Sequence, residues 1–132
     1  MALGIIVAGR NNMLDELQAL IDQDVGAGDL IIMDGSRPAT GGAETTILAT
    51  LVVTDPFAPA ASAGVMTADP IADDTSTSAG TATWFRLRDN SGDPIIDGDV
   101  GTGGSDLNLN SVAISAGGTV SVTSLVITAG NP

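Results

Sequence analysis

The sequence predicts a mostly β protein, an antiparallel β-sandwich or jelly-roll-like fold with one N-terminal amphipathic helix. Three observations predict it. About eight short segments of alternating or apolar character are separated by regular Gly, Pro, Asn and Asp turn signals. Only one stretch, near the N-terminus, carries apolar residues at helical spacing. The core material is aliphatic, with two Phe, one Trp and no Tyr.

The elements follow in order. Residues 1–9 read as a Gly-bounded apolar arm, Leu3-Gly4-Ile5-Ile6-Val7-Ala8-Gly9. It suits an edge strand of the protein's own sheet, or an arm that pairs with a neighbouring subunit. A helix is expected over 11–25. Asn11 or Asn12 can cap it, Asp15 and Glu16 suit its first turns, and Met13, Leu14, Leu17, Leu20 and Ile21 share one face. Gly26 and Gly28 stop it.

From residue 29 the period changes to two. Leu30–Met33 reads as a strand and Asp34-Gly35-Ser36-Arg37-Pro38 as a turn. Thr46–Val53 alternates, with Ile47, Ala49, Leu51 and Val53 on one face, until Asp55-Pro56 ends it. A loop rich in Ala and Pro leads to a short strand at Val65–Ala68. Asp69–Gly80 is polar and acidic. Thr81–Arg88 is the strongest strand: Thr83, Phe85 and Leu87 share one face, and Ala82, Trp84, Arg86 and Arg88 the other. Asn90-Ser91-Gly92 supplies a hairpin turn to Ile95–Val100. Leu107–Leu109, Val112–Ile114 and Thr119–Thr128 complete the β region. The apolar parity switches between Val122 and Leu125, as a bulge or a two-sided strand would require. The length of 132 residues predicts a single domain over 1–132, with the β domain at 29–132.

Charge sets the partners. Sixteen acids face four Arg, and the formal net charge is −12. Phosphate binding needs clustered cations, so nucleic acid and anionic membranes are poor partners and basic surfaces better ones. No apolar run approaches the ~18 residues of a membrane span, and Met1–Ala8 lacks the basic segment and length of a signal peptide. The expected setting is the cytoplasm of the producing cell and then the assembled object.

Common catalytic routes fail by absence. The chain has no His, no Cys and no Lys, which removes Ser-His-Asp triads, thiol nucleophiles, Schiff bases and Ser-Lys dyads. Carboxylates alone remain, and a glycosidase would need two at a set separation in a cleft. No enzyme activity, catalytic residue or cofactor is expected. Gly101-Thr102-Gly103-Gly104 is followed by neither a basic residue nor a helix, so it is no phosphate loop. Two constellations remain. Asp97, Asp99 and Asp106, around that Gly-rich loop, could offer oxygens to calcium, although they lack the spacing of a helix-loop-helix site and a solvated turn is the plainer expectation. Trp84, Arg86 and Arg88 form a strip that either pairs locally with Asp89, Asp93, Asp97 or Asp99, or serves as an interface. With Ile5, Ile6 and Val7 of the arm, they are the interface candidates.

Four phrases carry a resemblance: Ile32-Met33-Asp34-Gly35-Ser36-Arg37-Pro38, Leu48 to Pro56, Thr81 to Gly92, and Asp97 to Asn110. They resemble small structural proteins of tailed bacteriophages, and in particular capsid cement or decoration proteins, similar to the jelly-roll cement protein of a short-tailed Bordetella phage. The resemblance covers most of the chain from residue 10 and rests on turn and strand phrases. It implies a β fold on the capsid exterior of the virion, non-covalent bridging of neighbouring major capsid subunits, and a homodimer or other small homo-oligomer. It carries over no catalytic residue or cofactor. Two alternatives stand beside it: a glycan- or receptor-binding module of a tail fibre or spike, and a head-completion or tail component.

Overall fold

A computed structural model describes residues 3–129. It is mostly β with one N-terminal helix, and its main sheet is curled and mostly antiparallel, a β-sandwich or jelly-roll-like arrangement. The elements are α1 (Val7–Ile21), β1 (Asp29–Met33), β2 (Ile47–Val52), β3 (Val65–Thr67), β4 (Gly80–Thr81), β5 (Trp84–Arg88), β6 (Pro94–Gly101), β7 (Leu107–Leu109), β8 (Ala113–Ile114) and β9 (Val122–Thr128). Seven strands run in the order β2-β1-β5-β6-β7-β9-β3, and β4 pairs with β8 separately.

The helix differs from expectation at both ends. It starts at Val7 and ends at Ile21, not over 11–25. Its N-cap is Ile6, which makes no side-chain capping bond. Asn11 does not cap, because its Oδ1 accepts the Gly64 N–H at 2.8 Å. The same helix face ties down the loop before β3 twice more. Asp15 accepts from Ala61 N–H at 2.8 Å, and Asp22 accepts from Phe57 N–H. The early start consumes the end of the predicted arm. Met1 and Ala2 lie outside the described residues. Residues 3–6 join no strand, so the edge-strand reading fails for them.

β1 is buried along most of its length because β2 and β5 flank it, and four of its five residues, Leu30–Met33, are apolar. In β2 the expected alternation holds at Ala49, Leu51 and Val53 but breaks at Leu48 and Ile47. A register shift opposite Ile32/Met33 leaves Leu48 without a cross-strand partner and turns it inward beside Ala49, while Ile47 faces out. The bulge expected in the last strand is present: Leu109 pairs with Val122 and Asn108 with Ser124, leaving Thr123 as the extra residue.

Thr81–Arg88 is two strands rather than one. Thr81 pairs with Ala113, then the chain shifts so that Trp84 opens β5 against Met33 and Asp99. One pair departs from antiparallel. Val100 and Gly101 align with Leu107 and Asn108 in parallel. The short Gly-rich connection curls tightly, since a Cβ on Gly101 would stand 2.2 Å from Ser105 Oγ.

The main core gathers Leu14 and Ile21 from α1 with Leu30, Ile32, Leu51, Phe57, Phe85, Leu87, Leu107 and Leu125. A second, smaller apolar group, Ile31, Met33 and Trp84, lies on the opposite face of β1 and β5. Both faces of these central strands are therefore covered.

Candidate functional site

The strip of Trp84, Arg86 and Arg88 is where structure and expectation differ most. Its side chains leave the main core, as period two requires. Trp84 and Arg86 nevertheless stay below the surface, and Arg88 is partly exposed. Trp84 is 1% exposed and Arg86 3%. The cover is the segment 34–46 between β1 and β2, which a local reading treats as a turn followed by loop. It folds back as a clasp over β5 and β6.

The clasp is held by specific bonds. Trp84 Nε1–H donates to Asp34 O at 3.1 Å and to Thr45 Oγ1 at 2.9 Å. Thr45 Oγ1–H donates in turn to Asp34 O, and Thr83 Oγ1–H to Gly35 O at 2.6 Å. Gly41 N–H donates to Asp97 Oδ2 at 2.9 Å. Glu44 brings a carboxylate to 3.3 Å from Arg88 and 3.9 Å from Arg86.

Beneath the clasp the charges pair across strands. Arg86 and Asp97 are register partners on β5 and β6. They form a two-pronged bridge, Nε to Oδ1 at 2.7 Å and Nη2 to Oδ2 at 2.9 Å. Arg86 also lies 5.2 Å from the Trp84 ring centre, within cation–π range. Arg88 makes the same fork with its register partner Asp29 on β1, at 2.7 and 2.6 Å. The hydrogen bond to Asp97 holds the Arg86 guanidinium above its usual value, and the one to Asp29 does the same for Arg88. Burial pushes the Asp97 carboxyl up, but Arg86 and the Gly41 N–H outweigh it and leave it below its ordinary value. Of the two readings of the strip, local ion pairing is the one this geometry fits. Trp84 and Arg86 are buried structural groups.

The calcium reading fails on geometry. Asp97 is engaged by Arg86 and Gly41 N–H. Asp99 pairs with Arg37 at 3.6 Å. Asp106 Oδ2 accepts the Asp99 N–H at 3.1 Å and sits near Gly98 and Phe85, on the core side. Side chains at 97 and 106 thus lie on opposite faces of the sheet. Among the described residues no group of three or more acidic, His or Cys side chains could hold a metal.

Two features escaped sequence reasoning. Asp89 is a buried carboxylate that organises the β5–β6 hairpin. It accepts N–H bonds from Ser91 and Asp93 and the Gln23 amide at 2.7 Å. Burial pushes its carboxyl up, and the bonds from Asp93, Gln23, Ser91 and Gly92 outweigh that and lower it. The Asp-x-x-Gly spacing at 89–92 was the available signal. The second is the exposure of Met13 and Leu20, which the sequence grouped with Leu14, Leu17 and Ile21 on one helix face. Ile6 and Val7 are exposed, as are Leu3, Met13 and Leu20. Ile5 is half-buried, and its carbonyl accepts Arg10 Nε–H at 3.2 Å.

A shallow cavity of about 220 Å³ lies between β6 and β9, lined by Phe85, residues 96–98, Asp106 and residues 125–128. No helix of the described residues is long and apolar enough to cross a membrane. No protein family, curated protein or solved structure matches the chain.

Proposed function

We propose that the protein is a structural component of a virus particle: a capsid cement or decoration protein. It binds the outer capsid non-covalently, bridges neighbouring major capsid subunits and has no catalytic role. The observation that carries this reading is the doubly covered centre of the sheet. β1 and β5 are packed on the main core on one side and clasped by 34–46 on the other, with two forked ion pairs under the clasp. Such a centre resists local opening, which suits a bridge that must hold load at many repeated lattice contacts. The four phrases of the resemblance support it too. They fall on β1, β2, β5, β6 and β7, five consecutive neighbours in the sheet.

The glycan-binding alternative loses its best group. All three aromatic side chains, Phe57, Trp84 and Phe85, are buried, so none offers a stacking platform for sugar. The tail or head-completion alternative differs in copy number.

The test is to assemble particles with and without the protein and to measure heat resistance and copy number. Hundreds of copies per particle, with lower heat resistance in their absence, are expected of a lattice cement. Particles equally stable without it, or carrying only a ring's worth of copies, would overturn the proposal.

A further inference from the structure

The main sheet has a gap in it. β7 stands between β6 and β9, but it is short. It meets β6 only at Val100 and Gly101, and its ladder with β9 ends at Leu125. β6 begins well before that, at Pro94, and β9 runs on to Thr128. Over those stretches β6 is paired only with β5, and β9 only with β3. The cavity of about 220 Å³ occupies the space between them.

Both flanks aim main-chain groups into this gap. The N–H and C=O of one strand residue point to the same side, and successive residues alternate. Val100 N–H donates to Thr83 O on the β5 side, and Asp99 N–H donates to Asp106 Oδ2 at 3.1 Å on the other. Asp97 therefore faces the gap. On β9, Leu125 O and Ala129 N–H are bonded on the β3 side, so Val126 and Thr128 face the gap. Among the described residues no ladder meets these groups.

We propose that the gap receives an extended segment of a partner chain as an added strand, with an aliphatic side chain turned inward and a lysine or arginine turned outward. Three observations select that occupant. Main-chain groups open on two facing flanks ask for a backbone between them, and one added strand supplies both ladders. β7 is parallel to β6 and antiparallel to β9, so a strand in line with it finds one neighbour of each kind whichever way it runs. The floor is apolar, formed by Phe85, Ile96, Leu125 and Ile127. Gly98 keeps it open, since a Cβ there would stand 2.5 Å from Phe85 Cε1. Glycine inside a strand often marks the close approach of another backbone. Charge is the third observation. Asp99 and Asp106 are exposed at the β7 end of the gap, and the net charge is −12. An inserted residue facing outward beside Asp99 is favoured as a cation. The chain's own apolar arm, residues 3–9, holds no cation, so a second copy is the poorer fit.

Two side chains cover the free edge meanwhile. Asp106 takes the place of a strand carbonyl at Asp99 N–H, and Arg37 Nη1 reaches Asp97 O at 3.4 Å. Side-chain covers of this kind blunt an open edge. Arg37 also lies 3.6 Å from Asp99, where the incoming cation would sit. That pair is exposed and is displaced at little cost.

The inference goes beyond the capsid reading, and its test uses the isolated full chain. The probe is a synthetic end-blocked peptide, Thr-Val-Lys-Val-Thr-Val-Lys-Val, titrated to about 1 mM. Binding is expected, with slowed hydrogen exchange at Asp97, Val126 and Thr128 and none at Val52 on the outer strand β2. N-methylation of every second residue keeps the peptide's charge and removes main-chain donors, and should weaken binding about tenfold. Asp99→Lys should weaken it to a similar degree and favour the same peptide with Glu in place of Lys. Arg37→Ala should tighten it, because Asp99 and Asp97 O are then free. No binding at about 1 mM, equal binding of the N-methylated peptide, or protection confined to other strands would overturn the proposal. So would finding those three amides already protected in the free chain, which would mean that a second copy fills the gap.

Discussion

Asp97→Asn isolates the charge pair that holds the clasp. The substitution keeps the side chain's shape and removes one acceptor and the negative charge. In the native chain the two oxygens serve three donors: Arg86 Nε at 2.7 Å, Arg86 Nη2 at 2.9 Å and Gly41 N at 2.9 Å. An amide cannot satisfy this set, because its NH₂ must face a guanidinium N–H in either orientation, and in one of them the Gly41 N–H as well. The Arg86 and Asp97 side chains are 3% and 0% exposed, so the cation left behind has only Glu44, at 3.9 Å, for compensation. Breaking one side of a buried pair costs about 3 kcal/mol or more. In a chain of this length that is a drop on the order of 10 °C in thermal midpoint. Trp84 is the single Trp and lies under the same clasp, so its emission reports the transition alongside circular dichroism. Arg86→Met with Asp97→Leu should lose much less than the two single changes summed, because neither charge is then left unpaired. The exposed pair Arg37–Asp99, at 3.6 Å, is the internal comparison, and Arg37→Ala should cost under about 0.5 kcal/mol. A loss below about 0.5 kcal/mol for Asp97→Asn, or strict additivity in the double variant, would refute the reasoning.

Three further outcomes follow from the same geometry. Gly98→Ala should cost about 2 kcal/mol in urea unfolding, since its Cβ would stand 2.5 Å from Phe85 Cε1; Gly103→Ala, with open space around it, should be near neutral. Asp89 and Asp97 titrate below their ordinary value when folded, so the unfolded chain binds more protons in acid. Their contribution is complete above the ordinary carboxylate range, near about pH 4, and is lost as pH falls through the lowered native values; an acid titration monitored by Trp84 emission should show Asp97→Asn approaching wild type there. Asn11→Ala and Asp15→Ala each remove an acceptor for a loop N–H and should cost about 1 kcal/mol, with faster hydrogen exchange at Gly64 and Ala61 respectively.

Local patterns carried much of the fold. β1, β2 and β6 were legible because alternation and turn chemistry are short-range, and the β5–β6 hairpin because Asn90-Ser91-Gly92 needs only its neighbours. The parity switch near Val122 was legible as a bulge for the same reason. The helix boundary was not, because Asn11 is a good cap by local rules and is spent instead on a backbone N–H 53 residues away. The Trp-Arg strip was readable as outward from the main core, but not as buried. Its cover comes from 34–46, whose small and polar residues give no periodic signal, and its depth becomes visible only once Gly41 and Glu44 are placed beside Asp97 and Arg86. The calcium candidates failed for a related reason: spacing brings Asp97, Asp99 and Asp106 near in sequence, and the sheet then divides them between its faces.

The placement of the cations has a consequence for binding. Each of the four Arg is engaged within the chain: Arg10 with Ile5 O, Arg37 with Asp99, Arg86 with Asp97 and Glu44, and Arg88 with Asp29 and Glu44. Pairing them internally leaves a net of −12 to be expressed outward. Two kinds of contact are compatible with that surface. A basic partner surface gains from it at long range, which speeds encounter and makes the rate sensitive to salt. An apolar contact gains only from side chains exposed between the acids, such as Met13 and Leu20, which flank the exposed Glu16 on α1. The two contacts should respond differently to ionic strength. A contact made by exposed aliphatic side chains should persist at high salt, since burial of aliphatic surface is not screened, whereas one made with a basic surface should weaken.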